Sequence, residues 1–402
     1  MYSSKKALNY YSKWNLIFIV FIFSFFLVVL YNFISYVYNN NFFVFSEVDA
    51  LTYHNESLEM ASRSFIEGIK YYLSFRDIDD LGAVLISSSL YRLIESNLFL
   101  NFFYILIGLI TVLGIYRICS HFLSKKYAFV CSLSYGLASF VLWFHASGLK
   151  ESFMVMLVVL FFDRYYLYLK KRNIMHLICA SLFLIALLLF RPPLIFFCIG
   201  AVALSLVLQR KKGLKEALVI ILVFVSLIAF YPVFKAAYDR FLRGGDFSRV
   251  IEIRESRIAG SLEFTYGTNM LAQLIGPLPS ISPATKVTLS FYSAGLIFKA
   301  LLSILFWFGV YCVFKYKVKL IYPLILFTFF EMFSLILIIE GLELRKSLPH
   351  FPFIYIIAFW FLDKYDLSNY FKNKKKIKFA FNFSAFVIFI IILLWNLRYK
   401  VI

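Results

Sequence analysis

The sequence has few charged residues and no long polar segment, and both absences limit the class of protein. Only 16% of the 402 residues are Asp, Glu, Lys or Arg, whereas 62% are hydrophobic. Soluble proteins have roughly 45–50% apolar and about 25% charged residues. The polar stretches, of about 50–60 residues at most, are too short for a second soluble domain of ordinary size. The composition therefore predicts an all-α integral membrane protein, with residues 1–402 forming a single polytopic membrane domain.

Cysteine is also scarce, and acidic residues are much rarer than basic ones. The five cysteines lie within or at the edges of apolar runs, which argues against a disulfide framework or a zinc site. The formal net charge is +19, from 41 Lys and Arg against 22 Asp and Glu. These basic residues stand in short clusters between apolar runs, which is typical of membrane topology. No nucleic-acid partner is therefore expected.

What the sequence does contain is a series of long apolar runs. Runs of about 17–25 residues are each long enough to cross a bilayer core of about 30 Å, and they predict about eleven transmembrane helices. Arg191-Pro192-Pro193 divides one apolar stretch into two short helices, because consecutive prolines do not continue a helix. The predicted spans cover residues 14–38, 98–118, 127–145, 151–169, 174–190, 193–208, 216–235, 291–313, 320–339, 348–362 and 378–397.

The basic clusters also predict the orientation of the chain in the membrane. With a cytoplasmic N-terminus, every predicted cytoplasmic loop is basic, as at Lys125-Lys126 and at Lys170-Lys171-Arg172. The C-terminus is then periplasmic, and two large loops, residues 39–97 and 236–290, lie outside. The second external loop is rich in arginine.

The first external loop has an apolar pattern of its own. Leu58, Ala61, Phe65 and Ile69 recur at helical spacing. This spacing predicts an amphipathic helix that lies on the membrane surface.

Ionisable residues on the predicted external face are the candidates for chemistry, because charges at the ends of spans are costly. Glu47 and Asp49 are the candidate catalytic carboxylates, since either could take a proton from a sugar hydroxyl. The pair could also hold a divalent cation, Mg²⁺ or Mn²⁺, against a diphosphate. Tyr53 shares a helix face with Asp49. A structural alternative is a helix cap, because Ser46 and Asp49 have the spacing of a capping box.

The cationic candidates have two interpretations each. Lys150 with Glu151 suits a lipid phosphate, and the alternative is a lysine that extends to the headgroups and pairs with its neighbour. Arg191 suits a phosphate or pyrophosphate, and the alternative is a simple headgroup anchor. The arginines of the second loop could bind an anionic saccharide or diphosphate, and the alternative is that they lie on the solvated face of a surface helix. The remaining candidate substrate-binding residues are His54, Arg243, Arg254, Arg257 and Arg345.

Two groups of residues resemble those of a known family. Glu47-Val48-Asp49, followed by Tyr53-His54, resembles the first external loop of the GT-C superfamily. These are polytopic glycosyltransferases that use polyprenyl-phosphate-linked sugar donors at the external face. Residues 147–151 and 191–193 are similar to segments of bacterial members assigned to surface-polysaccharide assembly. Many members have two adjacent acids, whereas Val48 separates them here, so metal dependence stays open.

The resemblance implies roles for individual residues. Asp49 is expected to be the catalytic base or the carboxylate nearest a metal, and Glu47 is expected to assist it. Lys150, Arg191 and Arg257 are expected to bind the lipid-linked phosphate.

We therefore expect a multi-pass glycosyltransferase of the bacterial inner membrane. It would act at the periplasmic face on undecaprenyl-linked saccharides, with a saccharide or lipid-linked acceptor, in O-antigen or capsule assembly. The plan also resembles O-antigen polymerases, which join lipid-linked repeat units. A flippase of a lipid-linked saccharide is an alternative of another class, but the mid-span positions are almost uniformly apolar, with Glu331 as the main exception, and no paired repeats are visible. A non-catalytic assembly subunit, the third alternative, would tolerate substitution of Asp49.

Overall fold

The computed structural model describes residues 11–39, 49–76, 78–209, 262–279, 287–338, 344–365 and 375–397. Within these ranges the secondary structure is helical and contains no strand. The helices are α1 (Lys13–Asn39), α2 (Asp49–Ala61), α3 (Phe65–Phe75), α4 (Ile78–Tyr91), α5 (Asn97–Cys119), α6 (Lys125–Gly136), α7 (Ser139–Ser147), α8 (Glu151–Lys171), α9 (Ile174–Leu187), α10 (Pro193–Leu208), α11 (Leu262–Ile275), α12 (Val287–Lys315), α13 (Tyr322–Leu337), α14 (Leu344–Ser347), α15 (Phe351–Lys364) and α16 (Lys375–Leu397). Short 3₁₀ turns at Lys319–Ile321 and Leu348–His350 precede α13 and α15.

Six helices of the described part are long and apolar enough to cross a membrane. They are α1, α5, α8, α12 from Ser293 onward, α13 with its 3₁₀ turn, and α16 from Lys378 onward. Helices α6 and α7 pass the same test together but meet at a bend of 48°, as in a broken span or a re-entrant loop. Helices α9 and α10 are apolar but shorter. The prediction of an all-α membrane protein is confirmed in this form, whereas the number of eleven spans stays a prediction.

The predicted spans coincide with helices wherever the structure describes them. The span predicted at 216–235 lies outside the described residues. Helix α9 ends at Leu187 and α10 begins at Pro193, so the turn predicted at Arg191 is present. Proline is suited to the first position of α10, where its missing N–H has no helical partner to lose.

The described part of the first predicted external loop contains three helices, α2 to α4. The residues predicted to form one amphipathic stripe are divided between α2, which ends at Ala61, and α3, which begins at Phe65. Gly68 of α3 rests on Met60 of α2, where an added Cβ would lie 2.8 Å from the Met60 Cγ. This close packing folds α3 back on α2, so the stripe is not continuous.

Helix α15 runs through the middle of the bundle, and every residue from Phe351 to Phe361 is buried. Helix α12 approaches it closely at Gly309, where an added Cβ would lie 2.9 Å from the Ile357 carbonyl oxygen. Small residues have this role in membrane proteins, because helices associate in lipid through close packing rather than through the hydrophobic effect.

Contacts at the two ends of α15 separate the predicted cytoplasmic residues from the predicted external ones. Near its C-terminal end, Asp363 accepts hydrogen bonds from the Ser124 N–H and hydroxyl, both at 2.8 Å. Before its N-terminal end, Arg345 forms an ion pair with Asp49. Residues predicted to share a face therefore meet at the same end of the bundle. Which end faces the cytoplasm stays a prediction.

Candidate functional site

The end of the bundle that is predicted to be external carries a group of acids and cations from five separate segments, which we call the outer cluster. It consists of Asp49, Asp80, Lys150, Glu151, Arg191 and Arg345.

Asp49 and Arg345 form the more exposed part of the outer cluster. Asp49 is the first residue of α2, and its Oδ2 accepts a hydrogen bond from Nη1 of Arg345 in α14. Both side chains are more than a third exposed, at 38% and 39%. The carboxylate and the guanidinium are therefore both open to a molecule that arrives at this face.

Lys150 and Asp80 form the second part of the outer cluster, and Tyr53 lies against them. The Tyr53 hydroxyl donates to Asp80 Oδ1 at 2.8 Å, and Lys150 Nζ pairs with the same oxygen. Burial raises the pKa of Tyr53, and the carboxylates of Asp80 and Glu151 raise it further. Tyr53 therefore stays a protonated donor that fixes the position of Asp80.

Glu151 lies within electrostatic reach of the cations of both ion pairs. It is the first residue of α8, is 5% exposed, and its Oε2 finds no hydrogen-bond partner among the described residues. The charges of Lys150, Arg345 and Arg191 all act on this carboxyl group. Glu151 therefore links the cations of the outer cluster electrostatically.

Arg191 is held at the turn between α9 and α10. Its Nη1 donates to the Lys346 carbonyl oxygen at 3.4 Å. Helix α4 contacts this turn, because the Gly82 N–H donates to the Leu189 carbonyl oxygen at 2.8 Å. An added Cβ at Gly82 would lie 2.7 Å from the Phe190 ring. The turn that carries Arg191 is therefore tightly packed.

A small polar cavity adjoins the outer cluster behind Tyr53. His54 Nδ1 lies 2.8 Å from the Tyr91 hydroxyl, which in turn donates to Asn97 Oδ1 at 2.9 Å. Because that hydroxyl proton is used, Nδ1–H of His54 is the donor to Tyr91. The cavity has about 10 Å³ of interior space, which is room for about one water molecule. A ligand larger than a water molecule would therefore have to bind elsewhere, such as on the open side of Asp49 and Arg345.

The structure brings together most of the residues that the sequence indicates as a site. Asp49, Lys150, Glu151, Arg191 and Arg345 lie in the outer cluster, with Tyr53 against it. His54 points away from the ion pairs towards Tyr91. Glu47, Arg243, Arg254 and Arg257 lie outside the described residues.

Asp80 is the residue of the outer cluster that sequence reasoning misses. It is one of many acids in the first external loop and has no distinguishing neighbour in the sequence. Its place beside Lys150 depends on the packing of α4 against α2 and on the turn before α8. The sequence gives no local signal that an acid will lie beside a cation that is distant in the chain.

The interior of the bundle is less uniformly apolar than expected. Lys299 of α12 and His350 before α15 are as buried as Glu331 of α13, each no more than 1% exposed. The expectation that Glu331 is the main exception is therefore wrong. His350 lies at the edge of a predicted span and does not stand out in the sequence, whereas Lys299 is a single cation in a long apolar run, a signal that could have marked it.

The described carboxylates do not fit a divalent cation as they are arranged. Among the residues with described positions, no group of three or more His, Cys, Asp or Glu side chains could hold a metal ion. Asp49 and Asp80 each lie against a cation instead. Glu47, the other member of the predicted metal-binding pair, lies outside the described residues, so the cation stays a prediction.

The apolar helices and the outer cluster define an all-helical membrane protein with ionisable groups gathered at one end. No protein-family model matches the chain, and a search of the curated proteins finds no match. The proposal for its function therefore rests on the geometry of the outer cluster and on the resemblance noted in the sequence.

Proposed function

We propose that the protein is a membrane glycosyltransferase that acts on polyprenyl-phosphate-linked saccharides at the periplasmic face. The observation that carries the proposal is the convergence of three cations with an accessible carboxylate at one end of an apolar bundle. Lys150, Arg191 and Arg345 suit a phosphate at the membrane surface, and Arg in particular suits bidentate phosphate recognition. Asp49 stands beside them, open to the solvent side.

The chemistry of such a transfer matches the groups present. An acceptor hydroxyl attacks the anomeric carbon, and Asp49 takes the proton of that hydroxyl. The bond between the anomeric carbon and the phosphate oxygen breaks, and the lipid phosphate leaves with its negative charge. The three cations stabilise that charge as it develops, which is the largest contribution a fixed polar site makes to catalysis.

The proposal includes a topology. In it, the shorter apolar helices and the segment 216–235 complete an eleven-span chain in the bacterial inner membrane. The N-terminus is cytoplasmic, and the outer cluster and the C-terminus face the periplasm. The lipid part of the donor then stays in the bilayer while its phosphate reaches the cations.

The test is replacement of Asp49 in cells whose surface polysaccharide can be measured. We expect Asp49→Asn to reduce polysaccharide about 10²–10⁴-fold, the usual contribution of a general base, at unchanged protein level. Glu59→Gln is the matched control, because Glu59 is an exposed acid on the same helix and also pairs with an arginine, Arg63. Wild-type polysaccharide from Asp49→Asn and from Arg191→Ala would refute the proposal.

The lipid-linked intermediates in the Asp49→Asn strain separate the related activities. Undecorated lipid carriers indicate single transfer, whereas single repeat units indicate an O-antigen-type polymerase. Intermediates trapped on the cytoplasmic side indicate a flippase of a lipid-linked saccharide. The flippase is the second candidate function, and the buried Lys299, Glu331 and His350 are the observation that favours it, because a transport path needs polar groups inside the bundle.

A further inference from the structure

Three ionisable side chains meet inside the helix bundle, away from the outer cluster. Lys299, Glu331 and His350 come from three different segments, and none is more than 1% exposed. His350 Nδ1 lies 3.3 Å from Glu331 Oε2. Lys299 Nζ donates to the Ile275 carbonyl oxygen at 3.2 Å, and its charge acts on His350.

The three side chains lie at one depth. Lys299 is six residues after Ser293, where its span begins, and Glu331 is six residues before Leu337, where its span ends. At 1.5 Å per residue both lie about 9 Å from the ends of these apolar spans that are predicted to be external. Ionisable groups at such a depth are costly and are usually retained for function.

Arg191 connects this buried group to the outer cluster. Its charge acts on Glu331 as well as on Glu151. It also contacts the carbonyl oxygen of Lys346, which lies four residues before His350 in the same short segment. The order in space is therefore Lys299, His350, Glu331 and Arg191.

The other elements packed around Glu331 add few titratable groups. Helix α10 contributes Cys198, which lies within electrostatic reach of Glu331. Helix α11 contributes the neutral Gln273, whose Nε2 donates to Ser347 Oγ at 3.0 Å. Helix α14 carries Arg345 and Lys346, and α15 presents the Phe351 ring, 4.5 Å from Lys299 Nζ.

We propose that Glu331 and His350 form a buried proton-binding pair, and that its protonation is coupled to an anion bound at Arg191. Their facing atoms are within ion-pair distance, yet neither makes a hydrogen bond with any described residue. One proton between the Glu331 oxygen and the His350 nitrogen would complete that bond. A group left unpaired in so dry a place is costly.

The coupling follows from charge. The guanidinium of Arg191 favours the carboxylate form of Glu331, and a phosphate bound to Arg191 neutralises that guanidinium. The pair then takes up a proton, and by reciprocity the protonated pair binds the phosphate more tightly. This inference rests on the role of Arg191 as a phosphate ligand in the proposed function.

Infrared difference spectroscopy on the full chain in detergent tests the pair directly. We expect a carboxylic acid C=O band to grow as the pH falls, and to shift to a higher midpoint pH when phosphate is added. Glu331→Gln should lose the band. Glu263→Gln, which removes an exposed carboxyl group on α11, should keep it. His350→Gln should keep the band but change its midpoint pH. This second variant keeps the test decisive if Glu331→Gln fails to fold.

Binding measurements give the size of the coupling and the source of the anion. Wild-type affinity for inorganic phosphate or for a single-chain alkyl phosphate should rise by up to about tenfold per unit fall in pH, and Glu331→Gln should show no such dependence. A response to either probe supports the coupling, and a response to the alkyl phosphate alone assigns it to a lipid-borne phosphate. A missing band, or a band that neither anion shifts, overturns the inference. The proposed function is judged separately, by polysaccharide from Asp49→Asn.

Discussion

His54 should make the stability of helices α2 to α4 depend on pH. Burial lowers the pKa of His54 below its ordinary value of 6.5, and Glu95 offsets part of this. The unfolded chain therefore binds more protons, so stability is complete above about pH 6.5 and is lost as the pH falls towards the folded-state pKa. We expect the wild-type melting temperature to fall between about pH 7.5 and about pH 5, and to fall less in His54→Gln. An equal fall in both proteins would show that another group is responsible.

The residues of the outer cluster can be predicted by type from the sequence, but their partners cannot. The alternation of apolar runs and basic clusters predicts that Asp49, Lys150 and Arg345 lie on one side of the membrane. That Asp49 contacts Arg345, and that Lys150 contacts Asp80, depends on helix packing that no local pattern reports. The assignment of Glu47 as a helper remains a prediction, because Glu47 lies outside the described residues.

Gly108 should tolerate no side chain. An added Cβ would lie 2.2 Å from the Cε1 of His145, which is itself buried between helices. We expect Gly108→Ala to destabilise the protein by about 1–3 kcal/mol through overpacking, as measured by chemical denaturation in detergent. Gly267→Ala is the matched helical control, because no atom lies within 4 Å of its added Cβ. It should be neutral or more stable by up to about 1 kcal/mol, and equal effects of the two substitutions would contradict the packing argument.

The helices themselves follow closely from the apolar runs, whereas the break within a run does not. Residues 127–145 predict one span, yet α6 ends at Gly136 and α7 begins at Ser139, with the chain bent by 48°. The bend is supported from outside, because Ser139 Oγ accepts a hydrogen bond from the Gly295 N–H at 2.9 Å. No proline marks the position, and the hydrogen bond from α12 holds the bend.

The start of α6 should depend on a residue from the far end of the chain. Asp363 accepts hydrogen bonds from both the N–H and the hydroxyl of Ser124, the residue that precedes the helix. We expect Asp363→Ala to destabilise the protein by about 1–2 kcal/mol, as the loss of a helix cap does. Lys364→Ala, at the exposed neighbouring position, should have little effect. The comparison is made by thermal unfolding in detergent, and equal melting temperatures for the two variants would exclude the cap.

For the whole molecule, the contacts at the two ends of the bundle agree with the predicted topology, but the direction of insertion still needs a measurement. Arg63, on the outer-cluster side, and Lys171, at the opposite end of α8, are both exposed. We expect an impermeant maleimide to label Arg63→Cys in spheroplasts, and Lys171→Cys only after permeabilisation. Cys179→Ala provides the background, because the other native cysteines are buried. The reverse labelling would place the outer cluster in the cytoplasm and refute the periplasmic assignment.

The ion pair between Asp49 and Arg345 also has a consequence for synthesis. The two residues are 296 positions apart in the chain. At about 5–20 residues per second, a ribosome adds the arginine roughly 15–60 s after it has added the aspartate. During that interval the carboxylate exists in the nascent chain while the arginine does not. A nascent chain stalled before residue 345 would carry the acid of the outer cluster without this cation, and completion of the cluster is therefore tied to the last part of translation.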